Sequence, residues 1–147
     1  MTEQQGVKIT GLAHWAIRVN DLEESRRFYT EVLGMEDGGP VGDHFHCVRF
    51  GGMDLLLTLQ PEGLKVRRDP RDRTHIALRL SDADFDRAAQ HMRAWGVEVV
   101  PEYAINELQG DVEIRRRGTF VGRSFYLLDP SGNRLELYSP TLPPVES

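Results

Sequence analysis

A tyrosine and a glutamate near the C-terminal end of the chain have the spacing that brings two polar side chains together on a strand pair. Tyr126 and Glu136 lie in two alternating runs that flank Asp129-Pro130-Ser131-Gly132-Asn133. Proline favours a turn and glycine or asparagine can adopt positive φ, so the stretch predicts a β-hairpin. With a five-residue loop Tyr126 faces Glu136, whereas a slip of one residue in register would separate them. The opposite, apolar face is then formed by Phe125, Leu127, Leu135 and Leu137.

That hairpin would present a carboxylate and a phenol together, which is an arrangement that can bind or protonate a ligand. The alternative is a half-exposed hairpin whose outer face is polar because it meets solvent. Taken alone, the two strands do not decide between these interpretations.

Two histidines occupy equivalent positions in an internal repeat. His14 and His75 each begin a His-x-Ala-x-Arg pattern, the second 61 residues after the first, and Asp21 and Asp82 each follow their histidine by seven residues. Such repetition is typical of a chain built from two copies of one structural unit. If a local two-fold axis relates the copies, His14, His75 and Glu136 can converge in one cleft.

Two neutral imidazoles and a carboxylate suit a borderline divalent cation and leave coordination positions open for substrate or water. A single histidine is more often a hydrogen-bonded core or surface residue, and this alternative stays open for each of the two. The repeat makes a coincidental match less probable than it would be for either histidine alone.

The elements that must position these residues follow from hydrophobic periodicity, turn residues and helix caps. In the first half we predict strands at 12–19, 35–37, 44–50 and 53–59, with a helix from the Asp21 N-cap to Gly34 and a break at 38–40. In the second half we predict a strand at 74–80, a helix from Ser81 to Gly96, a short strand at 97–100, irregular chain at 101–118 and the closing hairpin at 120–139.

These elements predict an α+β fold of two βαβββ modules, which form an open, curved mixed sheet around a cleft with the helices on the outside. The modules are expected at 11–60 and 74–139, joined by a charged, proline-bounded linker at 61–73. Residues 1–10 and 140–147 are expected to be tails.

Composition limits the classes of partner. The formal net charge of the 147 residues is -5, which argues against general nucleic-acid binding. No apolar run approaches the roughly 20 residues of a membrane span, and the N-terminus lacks the apolar core of a signal peptide. Cys47 is the only cysteine, which suits a reducing compartment, and we expect a cytoplasmic protein without a membrane partner.

At this point the sequence resembles the vicinal oxygen chelate superfamily, which includes glyoxalase I, bleomycin-resistance proteins, extradiol dioxygenases and fosfomycin-resistance enzymes. The resemblance covers roughly residues 11–139. It rests on His14 in LAHWAIRVNDLEESRRFYTEVLGM, His75 in THIALRLSDADFDRAAQHMRAWGVEV and Glu136 in SFYLLDPSGNRLELYS.

The resemblance implies paired βαβββ modules, a divalent metal bound by His14, His75 and Glu136, and a bidentate, oxygen-rich small-molecule substrate. It favours Fe²⁺ or Mn²⁺, with Zn²⁺, Ni²⁺ or Co²⁺ possible, and it implies a homodimer. With Fe²⁺ the expected reaction is ring-cleaving dioxygenation, and with Mn²⁺ it is the addition of a thiol or water to an electrophile. The alternative is a non-catalytic protein that sequesters a drug or metabolite.

Departures from the subfamilies narrow these expectations. Leu56 stands opposite Glu136 in the repeat, where glyoxalase I has a further glutamate ligand, which disfavours that isomerase. Bleomycin-binding proteins generally lack the triad. Ala16 replaces a threonine that fosfomycin transferases use, and their serine-rich potassium loop is absent from 110–123.

Three further residues receive roles by resemblance. Tyr126, ten residues before Glu136, would orient or protonate a substrate oxygen, as its counterparts do in both dioxygenases and transferases. Arg116 is the preferred candidate for clamping an anionic substrate, since guanidinium groups bind carboxylate or phosphonate bidentately. At least two of Arg115, Arg116 and Arg117 are expected to be solvated charges. His46 is the nearest candidate for a general acid or base, provided that the turn at Gly51-Gly52 directs it into the cleft.

Overall fold

The computed structural model describes residues 3–100 and 107–143, which form two open sheets. The first has the strand order β1-β4-β3-β2, made from β1 (His14–Val19), β2 (Glu36–Val41), β3 (Phe45–Phe50) and β4 (Met53–Leu59). The second has the order β5-β10-β9-β8-β7, with β6 also paired to β9. Its strands are β5 (His75–Arg79), β6 (Val99–Val100), β7 (Glu107–Gln109), β8 (Val112–Arg115), β9 (Gly122–Leu128) and β10 (Arg134–Ser139).

The α+β class is confirmed, and the strands of one chain form two open sheets, one of four strands and one of six. In each sheet the strand that begins with a histidine lies at an edge and pairs in parallel with the last strand of its unit. The two units therefore share one connectivity, as the repeat indicates.

Each sheet carries one helix, and both helices begin at side-chain caps. The Asp21 carboxylate accepts a hydrogen bond from the backbone N–H of Glu24 at 2.8 Å, and α1 (Leu22–Arg27) continues as a π-helical turn at Phe28–Val32. The Ser81 hydroxyl accepts from the N–H of Asp84 at 3.2 Å at the start of α2 (Asp82–Ala94). At 13 residues α2 is the longest described helix, and no described helix has the length and apolarity to span a membrane.

One hydrophobic core joins the helix-facing sides of both sheets. The four residues predicted for the apolar face of the closing hairpin are each no more than 2% exposed. Burial of such a side chain contributes about 1.5–3 kcal/mol relative to exposure. They pack in one cluster with residues of the first unit and of both helices, among them Ile17, Val19, Phe28, Tyr29, Leu55, Leu57, Phe85 and Met92.

Two local predictions were wrong. The residues at 38–40, expected to break the chain, lie inside β2, because a register shift between Asp37 and Gly39 absorbs one residue and Gly39 adopts a φ of 86°. The described part of the segment expected to be irregular, 107–118, contains the hairpin β7–β8, which pairs with β9. Residues 101–106 of that segment lie outside the described residues.

The turn at Asp129–Asn133 has the geometry that the hairpin prediction required. Asp129 Oδ1 accepts hydrogen bonds from the backbone N–H groups of Ser131, Gly132 and Asn133 at 3.0, 2.9 and 2.8 Å. The strands then pair with Tyr126 opposite Glu136. The predicted register is therefore confirmed, and its cause is an aspartate that satisfies three consecutive donors of the loop.

The same turn joins the second unit to the first. Asp129 is 4% exposed, and its Oδ2 accepts from the Tyr29 hydroxyl at 2.7 Å. The Ser131 hydroxyl accepts from the N–H of Asn20 at 2.9 Å, and the Asn133 amide donates to the carbonyl of Arg18 at 2.7 Å. These polar contacts surround the point where β1 ends, so they fix the two units relative to each other.

Burial raises the pKa of both members of the Tyr29–Asp129 pair. Desolvation raises the pKa of Asp129 above its ordinary 3.8, while hydrogen bonds from Asn133 and Tyr29 act in the opposite direction. Desolvation, followed by the charge of Asp129, also raises the pKa of Tyr29 well above 10.0. The tyrosine therefore stays protonated and acts as the donor, and the carboxylate depends on its donors to remain charged.

We expect Tyr29→Phe to lower the free energy of unfolding by about 1.5–3 kcal/mol at pH 7, since it removes a hydrogen bond to a buried charge. It also removes a contribution that lowers the Asp129 pKa, so that pKa rises further in the folded state. A raised carboxyl pKa stabilises the folded state below the unfolded value of 3.8, and this contribution is lost as the pH rises through the folded value. The deficit of the variant should therefore grow between about pH 4 and pH 7 in urea denaturation experiments.

Tyr138→Phe is a matched control, because the Tyr138 hydroxyl donates to the neutral carbonyl of Val121 at 2.6 Å. Its cost should not change over the same pH range. An equal pH dependence in the two variants would contradict the role assigned to Asp129.

Candidate metal centre

The polar face of the second sheet brings together three of the residues selected from the sequence. Glu136 lies in β10 between Tyr126 of β9 and Ala77 of β5. His75 begins β5, and its Nε2 lies 3.3 Å from Glu136 Oε2. Strand alternation places Glu136 on the face opposite Leu135 and Leu137, so it points away from the shared core.

The backbone fixes the orientation of the His75 ring. Its Nδ1 lies 2.8 Å from the carbonyl oxygen of Arg73. Because a carbonyl only accepts, Nδ1 must carry a proton, and in the neutral ring the lone pair is on Nε2. A metal-binding histidine usually donates its other N–H in this way. In that neutral ring, Nε2 and the carboxylate oxygen face each other as two acceptors, which a proton or a metal ion between them would stabilise.

The donor set fits a divalent cation. Two ligands that are each about 2.1 Å from one metal ion are about 3.0–3.4 Å apart for bond angles near 90–110°, and the observed separation is 3.3 Å. The Glu136 side chain is 8% exposed and the His75 side chain is 36% exposed. The carboxylate is therefore held in the protein, while the imidazole side is open to further ligands.

Tyr126 completes this cluster. It is 4% exposed, and its ring meets that of His75 edge-on, with centroids 5.8 Å apart and an interplanar angle of 84°. The guanidinium of Arg115 also hydrogen-bonds its side chain. Since arginine only donates, the phenol oxygen accepts, and the phenol keeps its own O–H as the proton that it can give to a ligand.

Arg115, and not Arg116, contacts the cluster. The Arg115 Nη2 donates to Glu136 Oε1 at 2.9 Å, whereas Arg116 lies at the surface with its Nε 2.9 Å from Glu107 Oε2. The difference follows from β8, the unpredicted strand: residues 113 and 115 share its polar face, and Arg116 follows its last residue. Spacing to Glu136 alone could not reveal this, whereas recognition of the 112–115 alternation would have pointed to Arg115.

His14 does not join the cluster within one chain. It is an exposed residue at the start of β1 in the other sheet, and in the described ranges no group of three His, Cys, Asp or Glu side chains is placed to hold a metal. His46, the acid–base candidate, pairs with Leu57 on the core-facing side of the first sheet and lies 2.6 Å from Asp37. It is therefore directed away from the face that carries His14.

The first sheet nevertheless reproduces the plan of the second. Ala16 pairs with Leu56 in β4 as Ala77 pairs with Glu136 in β10. Leu56 in turn faces Cys47, as Glu136 faces Tyr126. The alignment of Leu56 with Glu136 that was inferred from the repeat is thus confirmed by strand register, and the first sheet offers only His14 among the corresponding polar positions.

Comparison with known families agrees with this geometry. The family described as the Glyoxalase/Bleomycin resistance protein/Dioxygenase superfamily matches residues 11–137. The chain belongs to this superfamily. The match spans both sheets and includes His14, His75 and Glu136.

Curated relatives include proteins named as a fosfomycin resistance protein and as a glutathione transferase. The chain is 30% identical over 138 residues to the fosfomycin resistance protein FosX of Mesorhizobium japonicum, covering 91% of this chain and 88% of the relative. It is 27% identical over 132 residues to the glutathione transferase FosA of Serratia marcescens, covering 88% of this chain and 81% of the relative.

Solved superfamily structures share the fold. FosX from Listeria monocytogenes superposes with a TM-score of 0.69 at 25% identity, covering 92% of this chain and 94% of that one. A mutant of the same FosX, complexed with Mn(II) and 1S,2S-dihydroxypropylphosphonic acid, superposes with a TM-score of 0.66 at 25% identity over the same shares.

The donor set predicts that the metal-free protein binds Mn²⁺ and that His75→Ala and Glu136→Gln each weaken binding about tenfold or more, a loss of at least about 1.4 kcal/mol. Titration calorimetry, with free Mn²⁺ measured by electron paramagnetic resonance, provides the affinities. His91→Ala is the control, because His91 is an exposed residue of α2 whose Nε2 lies 2.9 Å from the Val32 carbonyl. Equal affinity in the His75 and His91 variants would exclude His75 as a ligand.

Proposed function

We propose that the protein is a divalent-metal-dependent enzyme that adds water or a thiol to a small, anionic, oxygenated electrophile such as an epoxide. The single observation that carries the proposal is the pairing of a backbone-oriented His75 Nε2 with Glu136 Oε2 at 3.3 Å. The relatives described above are named for thiol transfer or fosfomycin resistance, which favours addition over ring-cleaving dioxygenation. A Mn(II) complex of one structural relative favours Mn²⁺ as the metal.

In this proposal the metal is held by His75 and Glu136 of one chain and by His14 of a second copy. His14 is exposed on the open face of the first sheet, together with Ala16 and Arg18. Phe45 and Leu56 share that open face and are only partly buried, so the face carries apolar surface that a second copy would cover. A two-fold dimer presents the same patch of each copy to the other, so it would complete two equivalent sites.

The charges around Glu136 support an anionic substrate. Two carboxylates, Glu113 and Glu136, share this face with two guanidinium groups, Arg115 and Arg134, the second of which lies 6.0 Å from the centre of the Tyr126 ring. The formal charges of these four groups cancel. A bound divalent cation would therefore leave the site positive, which favours an anion.

The chain's own groups have distinct roles in the proposed reaction. A bound divalent metal would supply Lewis acidity to a substrate oxygen. Tyr126 would donate its phenolic proton to that oxygen or orient it, from a position fixed by Arg115 and by the edge of the His75 ring. Arg116, which forms an ion pair with Glu107 at the surface, stays a candidate for contact with the anion only if that pair opens.

Ala16 and the segment at 110–123 distinguish this chain from the fosfomycin transferases that it resembles. The polar side chain that a threonine would offer is absent beside His14, and the segment that leads to β9 is basic instead of serine-rich. We therefore propose an anionic epoxide other than fosfomycin as the preferred substrate, with fosfomycin as a slow one.

The reaction is tested by incubating the Mn²⁺-loaded protein with a panel of epoxides that carry a phosphonate or a carboxylate, with and without glutathione or cysteine. Phosphorus or proton magnetic resonance separates a diol, formed with water, from a thioether. We expect turnover of at least one anionic epoxide and a loss of about 100-fold or more in kcat for Tyr126→Phe, which lacks the proton donor. Absence of turnover with the whole panel, in protein that binds Mn²⁺, would favour the sequestering alternative.

Sharing of the site between chains is tested by coexpressing His14→Ala with Glu136→Gln. A mixed dimer holds one doubly defective site and one intact site, so random pairing should restore about a quarter of the wild-type activity, while each variant alone is inactive. Sedimentation velocity verifies that both variants remain dimers. If the coexpressed pair stays inactive as a dimer, His14 does not act across the two chains.

A further inference from the structure

The hairpin β7–β8 has no counterpart in the first unit. There, one strand, β2, pairs with β3 over its whole length. In the second unit the corresponding edge of β9 is divided, with β6 paired at Tyr126 and Leu127 and β8 paired at Gly122 to Ser124. The hairpin β7–β8 is therefore formed by an additional segment of chain between β6 and β9. It pairs with the N-terminal half of β9, which precedes Tyr126.

This extra hairpin places a buried ion triple beside the proposed centre. Arg115 lies between two carboxylates: its Nη1 donates to Glu113 Oε1 at 3.0 Å and its Nη2 to Glu136 Oε1 at 2.9 Å. The side chain of Glu113 is 2% exposed and that of Arg115 is 16% exposed. The three charges are therefore held in an environment where water screens them little.

The other hydrogen bonds of Arg115 determine whether it is free to bind a substrate anion. Its Nε donates to the carbonyl of Phe120 at 3.0 Å, its Nη2 also donates to the Ser124 hydroxyl at 3.1 Å, and the guanidinium hydrogen-bonds Tyr126. The protein itself thus occupies donors on all three guanidinium nitrogens. A substrate anion would have to displace buried acceptors, so Arg115 is poorly suited to act as a substrate clamp.

We propose that Arg115 is a positioning residue: it holds Oε1 of Glu136 and so directs Oε2 towards His75 and the metal. This inference rests on the proposed function, since it concerns the same centre. A carboxylate on a flexible side chain has several rotamers, and the planar guanidinium, itself fixed by Glu113, Ser124 and Phe120, selects one of them. The extra hairpin is then a built-in support for one metal ligand.

The two possible roles of Arg115, positioning and purely electrostatic, predict opposite changes in Mn²⁺ affinity when it is replaced. Loss of Arg115 removes a nearby positive charge, which by itself would tighten cation binding, but it also releases Glu136 and leaves it close to Glu113. Substitutions of groups that orient metal ligands typically weaken metal affinity 10–100-fold. We therefore expect Arg115→Met to weaken Mn²⁺ binding by about 10–100-fold, whereas a purely electrostatic influence would strengthen it.

A double-mutant cycle isolates the coupling to Glu136. Mn²⁺ affinity of the metal-free full chain is measured for wild type, Arg115→Met, Glu136→Gln and the double variant. If Arg115 acts through Glu136, Arg115→Met weakens binding about 10–100-fold in the wild-type background and has almost no effect when Glu136 is already replaced. An equal effect in both backgrounds would assign Arg115 to general support of the hairpin and overturn the proposal.

Two further variants keep the test decisive if Arg115→Met folds poorly, as removal of one partner from a buried ion cluster often does. Glu113→Gln combined with Arg115→Met removes the stranded charge of Glu113 and should still show weakened Mn²⁺ binding. Arg115→Lys keeps the charge but loses the planar fork, so it should bind Mn²⁺ more weakly than wild type. Wild-type affinity in either variant would overturn the proposal.

Arg87→Met is the control, because Arg87 is an exposed arginine of α2 that is likewise paired with a carboxylate, its Nη2 donating to Asp84 Oδ1 at 2.9 Å. It should bind Mn²⁺ as wild type does. If wild type binds Mn²⁺ and Arg115→Met binds it equally well or more tightly, this inference fails and the proposed function stands. If wild type binds no Mn²⁺, both fail.

Discussion

A single buried carboxylate, that of Asp129, determines both the geometry of the closing hairpin and the docking of the two units. One oxygen accepts three consecutive backbone donors of the turn, and the other accepts the Tyr29 hydroxyl of the first unit. Because a charge with so little exposure is tolerated only when its acceptors are satisfied, the loop length and the position of Tyr29 constrain each other. The register that places Tyr126 opposite Glu136 follows from this turn.

The two units share one connectivity, but polar side chains suited to binding a metal are concentrated in the second unit. The second sheet carries His75, Tyr126 and Glu136 in contact with one another, whereas the first carries His14 beside Ala16, Leu56 and Cys47 at the matching positions. A unit with only His14 at these positions could not hold a cation by itself. In the proposed function, the open face of the first sheet would therefore complete a site only together with the second sheet of another copy.

Strand alternation and turn chemistry were sufficient to predict the hairpin register, the apolar face of 125–137 and the Asp21 cap, because these features depend on neighbours close in the chain. The β2 bulge and the β7–β8 hairpin were missed, since glycine-rich and arginine-rich segments carry weak periodicity and their strands form by pairing with β3 and β9. The preference for Arg116 as an anion clamp came from its position relative to Glu136 in the transferases, and without β8 no pattern pointed to Arg115 as the contact of Glu136. Whether His14 meets His75 and Glu136 depends on how whole faces associate, which no local pattern encodes.

The ion triple accounts for the almost complete burial of Glu136. The charge of Glu136 is compensated by that of Arg115. Burial of Arg115 disfavours its charged form, but its hydrogen bonds to Glu136 and Tyr126, together with the charges of Glu136 and Glu113, outweigh this penalty. The pKa of Arg115 is therefore raised. A carboxylate that relied on the metal alone would be unstable in the metal-free chain or would turn to solvent. Here Arg115 engages one oxygen and leaves the other beside His75. In the proposed centre, this arrangement would hold Glu136 in place before a cation binds.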